Sequence, residues 1–227
     1  MMKRYLYKKA VLLFFLFLLN SMGLLAQTQP FEAEIKAFAT SDRIVPPLQG
    51  KIVFAGSSSF TKWKDINQYF PGYPIINRGF GGANLLELTQ YLQETILKYH
   101  PKQVVIYCGE NDLASSDTVT PKIVMDRFVI LYKIIRNQLG KKTIISFVSI
   151  KPSISRWHLE NKIVQTNALI SNFIAQQTNA HFINIHNAML QNDGSVMKDI
   201  FIADNLHMNA KGYAIWQQII FPYLLAQ

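Results

Sequence analysis

Cysteine is almost absent from this chain of 227 residues, since Cys108 is the only one. A single cysteine excludes an intramolecular disulfide, so the fold cannot depend on one. Charged residues are also scarce, at 16%, whereas hydrophobic residues make up 49%. This composition argues against disorder, and the length suffices for one domain with a sizeable hydrophobic core.

Dense runs of lysine and arginine are missing from most of the chain. The net charge is +9, but four basic residues lie within the first nine positions, and the charge without them is +5. No nucleic-acid partner is therefore expected.

Residues 1–26 are typical of a secretory signal peptide. A basic start is followed by an apolar run from Val11 to Leu19, which is short for a membrane span, and Ala26 marks a plausible cut. The sequence thus predicts an exported protein, periplasmic or extracellular after cleavage near Ala26, with no stable membrane insertion. The alternative is an uncleaved N-terminal anchor.

Residues 27–50 are predicted to form a short amphipathic helix, from Pro30 to Thr40, followed by a proline-containing lead-in. Residues 51–227 are predicted to form one domain. In that domain apolar runs alternate with helical patterns. The strand candidates are 51–55, 74–77, 102–108, 142–149 and 180–185, and the helix candidates are 59–69, 84–99, 121–139, 157–177 and 209–225. Because the strand candidates are continuous apolar runs, they indicate a parallel α/β sheet with helices on both faces.

Three serines, Ser57 to Ser59, follow the first strand candidate and Gly56. A serine that opens a helix at a strand end lies beside unpaired backbone N–H groups, where negative charge is stabilised. Helix capping is an equally ordinary use for a serine there, and spacing alone does not choose among the three.

Two further loops follow the second and third strand candidates. The loop 77–83 has three glycines in four positions and could present N–H groups to a phosphate or an oxyanion, or be a flexible turn. The other loop, 109–112, offers the uncharged amide of Asn111, which suits an oxyanion hole. Glu110 and Asp112 could instead suggest a metal, but no histidine is close in sequence, so none is expected.

Asp204 and His207 lie just before the last helix candidate, three residues apart. On a helical turn this spacing places a carboxylate and an imidazole on one face. Such a pair can activate a serine, which is a weak nucleophile by itself. His186 also follows a strand candidate and is the nearest alternative base.

Taken in order, these motifs resemble the SGNH (GDSL-type) hydrolase family, in its platelet-activating-factor acetylhydrolase-like bacterial branch, over residues 48–221. The resemblance implies Ser58 as nucleophile, with His207 as base and Asp204 as its orienting acid. It implies an oxyanion hole formed by the N–H groups of Ser58 and Gly82 and the amide of Asn111.

The same resemblance implies a three-layer flavodoxin-like fold, with a five-stranded parallel sheet of order 2-1-3-4-5, and catalysis without a cofactor. Phe60 stands where the G-x-S-x-G motif requires glycine, which argues against the α/β-hydrolase fold. Lys151, Arg156 and Trp157 follow the fourth strand candidate and are predicted to bind substrate; a packed loop and helix start is the alternative.

The sequence therefore predicts a secreted serine carboxylic-ester hydrolase that removes short acyl groups, such as acetyl, from carbohydrate. The absence of a long apolar lid favours a small acyl ester or acylated glycan as substrate. A lysophospholipase or other lipid esterase is the first alternative, and a non-catalytic glycan-binding domain on the same fold is the second. No cofactor or metal is expected, and the oligomeric state is left open.

Overall fold

A parallel sheet of five strands forms the centre of the protein in a computed structural model, which describes residues 29–225. The predicted signal peptide, residues 1–26, lies outside the described residues. The strand order is β2-β1-β3-β4-β5, which confirms the predicted order and fold class. The strands are β1 (Ile52–Gly56), β2 (Ile75–Gly79), β3 (Gln103–Tyr107), β4 (Ile144–Val148) and β5 (Ala180–Ile183).

The central strands β1 and β3 are buried along their whole length, as continuous apolar runs predict. Their register aligns the carboxyl ends: Gly56 lies opposite Gly79 on one side and Tyr107 on the other. The loops that leave these three strands therefore start from one edge of the sheet, where open α/β sheets bind ligands.

Helices surround the sheet. They are α1 (Glu32–Ile44), α2 (Ser58–Thr61), α3 (Ile66–Tyr69), α4 (Leu85–Gln90), α5 (Leu92–Thr95), α6 (Glu110–Ser115), α7 (Pro121–Leu139), α8 (Glu160–Ile174) and α9 (Ala210–Ile220). Short 3₁₀ helices span Leu97–Tyr99, Trp157–Leu159, Asn187–Met189, Lys198–Ile200 and Phe221–Tyr223. In the described part of the chain, no helix is long and apolar enough to cross a membrane.

The predicted helix boundaries hold where a capping residue marks them. Asn84 forms a capping box with Glu87, and the side chains of Thr120 and Asn209 accept backbone N–H bonds at the starts of α7 and α9. Gly140 ends α7 with a φ of 79°. The helices predicted over 59–69 and 84–99 are instead broken into short pieces. At the first break, the Asn77 side-chain amide donates to the carbonyls of Phe60 and Trp63.

An aromatic cluster supports the segment that follows β1. Trp63 stacks on Tyr213 of α9 with ring centroids 4.7 Å apart, and Trp216 packs on Tyr107 at 4.8 Å. The Tyr213 hydroxyl also donates to the carbonyl of Ser59, at 2.8 Å. This packing fixes the short helix α2 against the sheet.

Helix α1 is joined to the sheet by a charged cluster. Asp42 pairs with Arg78 of β2 and with Lys98, the latter at 2.6 Å, and it accepts a hydrogen bond from the Tyr99 hydroxyl at 2.6 Å. From Ala33 onward the helix belongs to the same compact unit as the sheet. Residues 33–50 of the predicted lead-in are therefore part of that unit.

Candidate active site

The turn after β1 is possible only with glycine at position 56. Gly56 has a φ of +145°, and a Cβ there would lie 1.9 Å from the carbonyl oxygen of Tyr107. The next residue, Ser57, donates its N–H to that carbonyl at 3.0 Å. Since the backbone then turns directly into α2, Ser58 becomes the first residue of a helix at the edge of the sheet.

The three serines have different neighbours. Ser58 Oγ lies 2.8 Å from His207 Nε2, a contact across 149 residues of sequence. Ser57 Oγ is buried and accepts the amide of Asn111, and Ser59 is buried beside the Tyr107 hydroxyl. Of the three, Ser58 is thus the one whose hydroxyl lies against an imidazole.

Asp204 holds the other side of the His207 ring. Its Oδ2 lies 2.6 Å from His207 Nδ1, and its Oδ1 accepts the backbone N–H groups of Leu206 and His207 at 2.9 and 2.8 Å. Partial burial opposes ionisation, but these hydrogen bonds outweigh it and lower the pKa of Asp204 to about 2. The carboxylate is therefore ionised at neutral pH.

The turn between Asp204 and His207 contains a residue in the left-handed backbone conformation. Asn205 has a φ of +55°, which asparagine tolerates better than most residues other than glycine. Its carbonyl accepts the N–H of Ser155 at 3.1 Å, so the loop after β4 lies against this turn.

His186, the alternative base, has other partners. Its Nε2 lies 2.8 Å from Glu160 Oε1, and its Nδ1 lies 3.2 Å from Asn187 Oδ1. The ring is buried after β5, at the opposite edge of the sheet from β2. Neither contact involves the serine turn, residues 56–59.

Asn111, near the start of α6, bridges two of the predicted loops. Its Nδ2 donates to Ser57 Oγ at 2.7 Å and to the carbonyl of Ala83 at 3.1 Å. Gly82 has a φ of +70°. Within residues 29–225, the N–H groups of Ser58 and Gly82 donate to no protein acceptor. Asn111 therefore joins the serine turn to the glycine loop, residues 77–83, and to α6. The two unpaired N–H groups belong to the serine turn and the glycine loop.

The carboxylates beside Asn111 are committed to protein partners. Asp112 accepts the N–H of Leu85 at 2.9 Å and pairs with Arg127 at 2.7 Å, which ties α6 to α4 and α7. Among the described residues, no group of three histidine, cysteine, aspartate or glutamate side chains could hold a metal ion.

Glu110 belongs to a buried cluster that sequence reasoning missed. Lys151 Nζ lies 2.9 and 2.8 Å from its two carboxylate oxygens, and the Tyr107 hydroxyl donates to Oε2 at 2.8 Å. Burial alone would raise the pKa of Glu110, but the charges of Lys151 and Arg156 outweigh it and hold that pKa below its usual value. One signal in the sequence could have indicated this pair. Glu110 and Lys151 each follow the end of a buried strand, where a charged side chain must either face a site or pair with an opposite charge.

The three predicted substrate contacts lie in different settings. Lys151 is fully buried in its pair with Glu110 and has no surface to offer a substrate, so we assign it to the buried cluster instead. Arg156 is mostly buried, with Nη1 3.6 Å from Glu110 Oε1. Trp157 is 42% exposed and lines an open cavity of about 290 Å³ with Ile154, Ser195, Val196 and Lys198.

Residues 49–215 match the model of the GDSL-like Lipase/Acylhydrolase family. The chain belongs to this family. Members of this acylhydrolase family act on esters, and this protein is accordingly a hydrolase of ester bonds. A search among curated proteins found no match.

Solved structures share the fold of this GDSL-like chain at low sequence identity. A Streptococcus pneumonia protein named for platelet activating factor is 18% identical, with a TM-score of 0.72, and covers 96% of this chain and 99% of its own. A GDSL-like lipase from Bacteroides thetaiotaomicron is 19% identical, with a TM-score of 0.69, over 84% and 97%. An acetylxylan esterase from Geobacillus stearothermophilus is 13% identical, with a TM-score of 0.61, over 77% and 94%.

Proposed function

We propose that this protein is a secreted serine esterase that removes short acyl groups, such as acetyl, from carbohydrate through an acyl-enzyme. The observation that carries the proposal is the continuous contact from Asp204 through His207 to Ser58, with separations of 2.6 and 2.8 Å. Serine hydrolases need this order of acid, base and nucleophile.

In the first half of the reaction, Ser58 Oγ attacks the ester carbonyl while His207 Nε2 takes its proton. Asp204, ionised and bonded to Nδ1, orients the ring and stabilises the imidazolium that forms. The proton then passes from His207 to the departing alcohol, which leaves the acyl group on Ser58. In the second half, His207 takes a proton from the water molecule that attacks the acyl-enzyme. It then returns this proton to Ser58 Oγ as the bond to the acyl group breaks, and the carboxylic acid is released.

The negative charge of each tetrahedral intermediate needs donors at the serine turn. The N–H groups of Ser58 and Gly82 are unpaired in the described structure and are suited to this role. The Asn111 amide is the third donor. In the resting site it bonds Ser57 Oγ and the Ala83 carbonyl, so it must redirect one N–H to the oxyanion when substrate binds.

The choice of a carbohydrate ester is supported by the surface beside this site. Ser155 is bonded to Asn205, so the loop that carries Trp157 lies next to the Asp204 turn. A half-exposed tryptophan offers a flat apolar face with a polar edge, a surface on which a sugar ring can pack. The acetylxylan esterase with the same fold is consistent with this substrate class.

A lipid esterase is the second candidate, because the cavity beside Trp157 is lined by Ile154 and Val196 as well as by polar residues. Export rests on the N-terminal sequence pattern of residues 1–26. A non-catalytic glycan-binding domain is the third reading, and it leaves the contact between Ser58 and His207 without a use.

A fluorophosphonate probe tests the chemistry directly. We expect the wild-type protein and Ser57→Ala to be labelled, and Ser58→Ala to fold normally but to lose both labelling and hydrolysis. The proposal would be contradicted if the probe labelled Ser58→Ala or failed to label the wild-type protein. Hydrolysis rates for acetylated xylo-oligosaccharides, lysophospholipid and p-nitrophenyl esters of increasing chain length then separate carbohydrate from lipid substrates.

A further inference from the structure

A helix that precedes the family-matched residues reaches the glycine loop. Glu34 of α1 accepts the N–H of Gly81 at its Oε2, with a separation of 3.0 Å. Gly81 is the neighbour of Gly82, whose N–H, like that of Ser58, donates to no protein acceptor in the described structure. A carboxylate acceptor makes a stronger hydrogen bond than a neutral one, so this contact is well suited to fix the loop.

The rest of α1 is held so that Glu34 has a defined position. Ile35 is buried, and Asp42, two turns further along, pairs with Arg78 and Lys98. The Arg78 guanidinium also lies over the ring of Phe38, 5.0 Å from its centroid. Because these contacts hold the part of the helix that follows Glu34, the carboxylate can act as a fixed support.

The glycine loop needs such a support. Gly81 and Gly82 have no side chains of their own to pack, and glycine loses more conformational freedom on ordering than any other residue. A Cβ built on Gly81 would lie 3.4 Å from Glu34 Oε1, so helix and loop are in close contact. An oxyanion donor is effective only if it is held in place before the charge develops.

We propose that Glu34 is a positioning residue that fixes Gly81, and thereby orients the N–H of Gly82 toward the oxyanion. The proposal rests on the proposed function, because it presupposes a developing oxyanion at Ser58. The negative charge of Glu34 itself opposes that oxyanion, so its contribution must come from geometry. A neutral side chain with an acceptor oxygen should therefore serve nearly as well.

The test compares Glu34→Ala, Glu34→Gln and wild type in p-nitrophenyl acetate hydrolysis, with thermal midpoints measured on the same preparations. Arg43→Ala, on the same helix and bonded to Thr40, is the matched control. We expect Glu34→Ala to lose about tenfold in kcat with KM and midpoint unchanged, since a loosened donor costs less than the ~10²–10³ of a deleted one. Glu34→Gln should remain within about threefold of wild type.

Three results would overturn the proposal: an unchanged kcat in Glu34→Ala, a loss that Glu34→Gln does not restore, or a loss explained by a lowered midpoint. The wild-type measurement separates this from the proposed function. A wild type that hydrolyses no ester refutes the proposed function, and the positioning role falls with it. If the wild type is active and Glu34→Ala has the same kcat, the positioning role alone is refuted.

Discussion

Two carboxylates of this protein are each paired with a nitrogen-containing side chain, one pair partly exposed to solvent and the other buried. Asp204 is 41% exposed and bonds His207. Glu110 is buried and bonds Lys151, which has no exposed surface. The first pair lies beside the Ser58 hydroxyl, and the second includes the first residue of α6, the helix that also carries Asn111.

The difference in solvent exposure fits the roles proposed for the two pairs. An imidazole that takes and returns a proton needs water and a substrate within reach, so its carboxylate can remain near the surface. A lysine–carboxylate pair without water keeps both charges only while both are present, because either one alone pays a large desolvation cost. Exposure therefore suits the proposed proton transfer, and burial suits a fixed support for the helix that carries the proposed oxyanion donor Asn111.

The largest expected effect comes from breaking the exposed pair. His207→Ala removes the base and should lower kcat by about 10⁵–10⁶, whereas Asp204→Asn leaves the imidazole in place and should cost about 10⁴. Steady-state kinetics on an acetyl ester, with midpoints as the folding control, checks this order. His186→Ala is the matched histidine control and should retain activity; near-wild-type activity of His207→Ala would contradict the triad.

Breaking the buried pair should instead affect stability. Lys151→Met leaves Glu110 buried without its main partner, and we expect a loss of about 3–5 kcal/mol in the free energy of unfolding. The double variant with Glu110→Gln should recover part of that loss. Chemical denaturation measures both variants.

An exposed pair is the control for this result. Lys122 and Asp126 on α7 are 72% and 54% exposed, so Lys122→Met should cost less than about 0.5 kcal/mol. An equally small effect at Lys151 would show that its burial is of no energetic consequence.

Asn111→Ala sharpens the comparison, because Asn111 lies next to Glu110 in sequence but faces the serine turn. We expect kcat to fall by about 10²–10³ with little change in KM, since an oxyanion donor acts on the transition state. The loss of its bonds to Ser57 and Ala83 should also lower the midpoint slightly. A lowered midpoint with unchanged turnover per folded molecule would remove Asn111 from the proposed oxyanion hole.

Local sequence signals were sufficient for much of the fold. Continuous apolar runs predicted the five parallel strands, although β5 is only partly buried. The helix patterns that begin at 84, 121 and 209 predicted three helix starts, and each of these starts has a side-chain cap. Helix α6 was missed, because its six residues are too few to show a period. The break in the helix predicted over 59–69 involves Asn77 of β2, which lies beyond that helix in sequence and donates to the carbonyls of Phe60 and Trp63.

The sequence by itself determined what lies within a few residues: the glycine-dependent turn at Gly56, the buried strands, and the pairing of Asp204 with His207 across one turn. The tertiary structure decided which serine meets His207, that Lys151 is buried against Glu110, and that Glu34 supports Gly81. Those contacts join residues 41 to 149 positions apart. Their geometry is set by how the strands align and the helices pack, which local propensity does not encode.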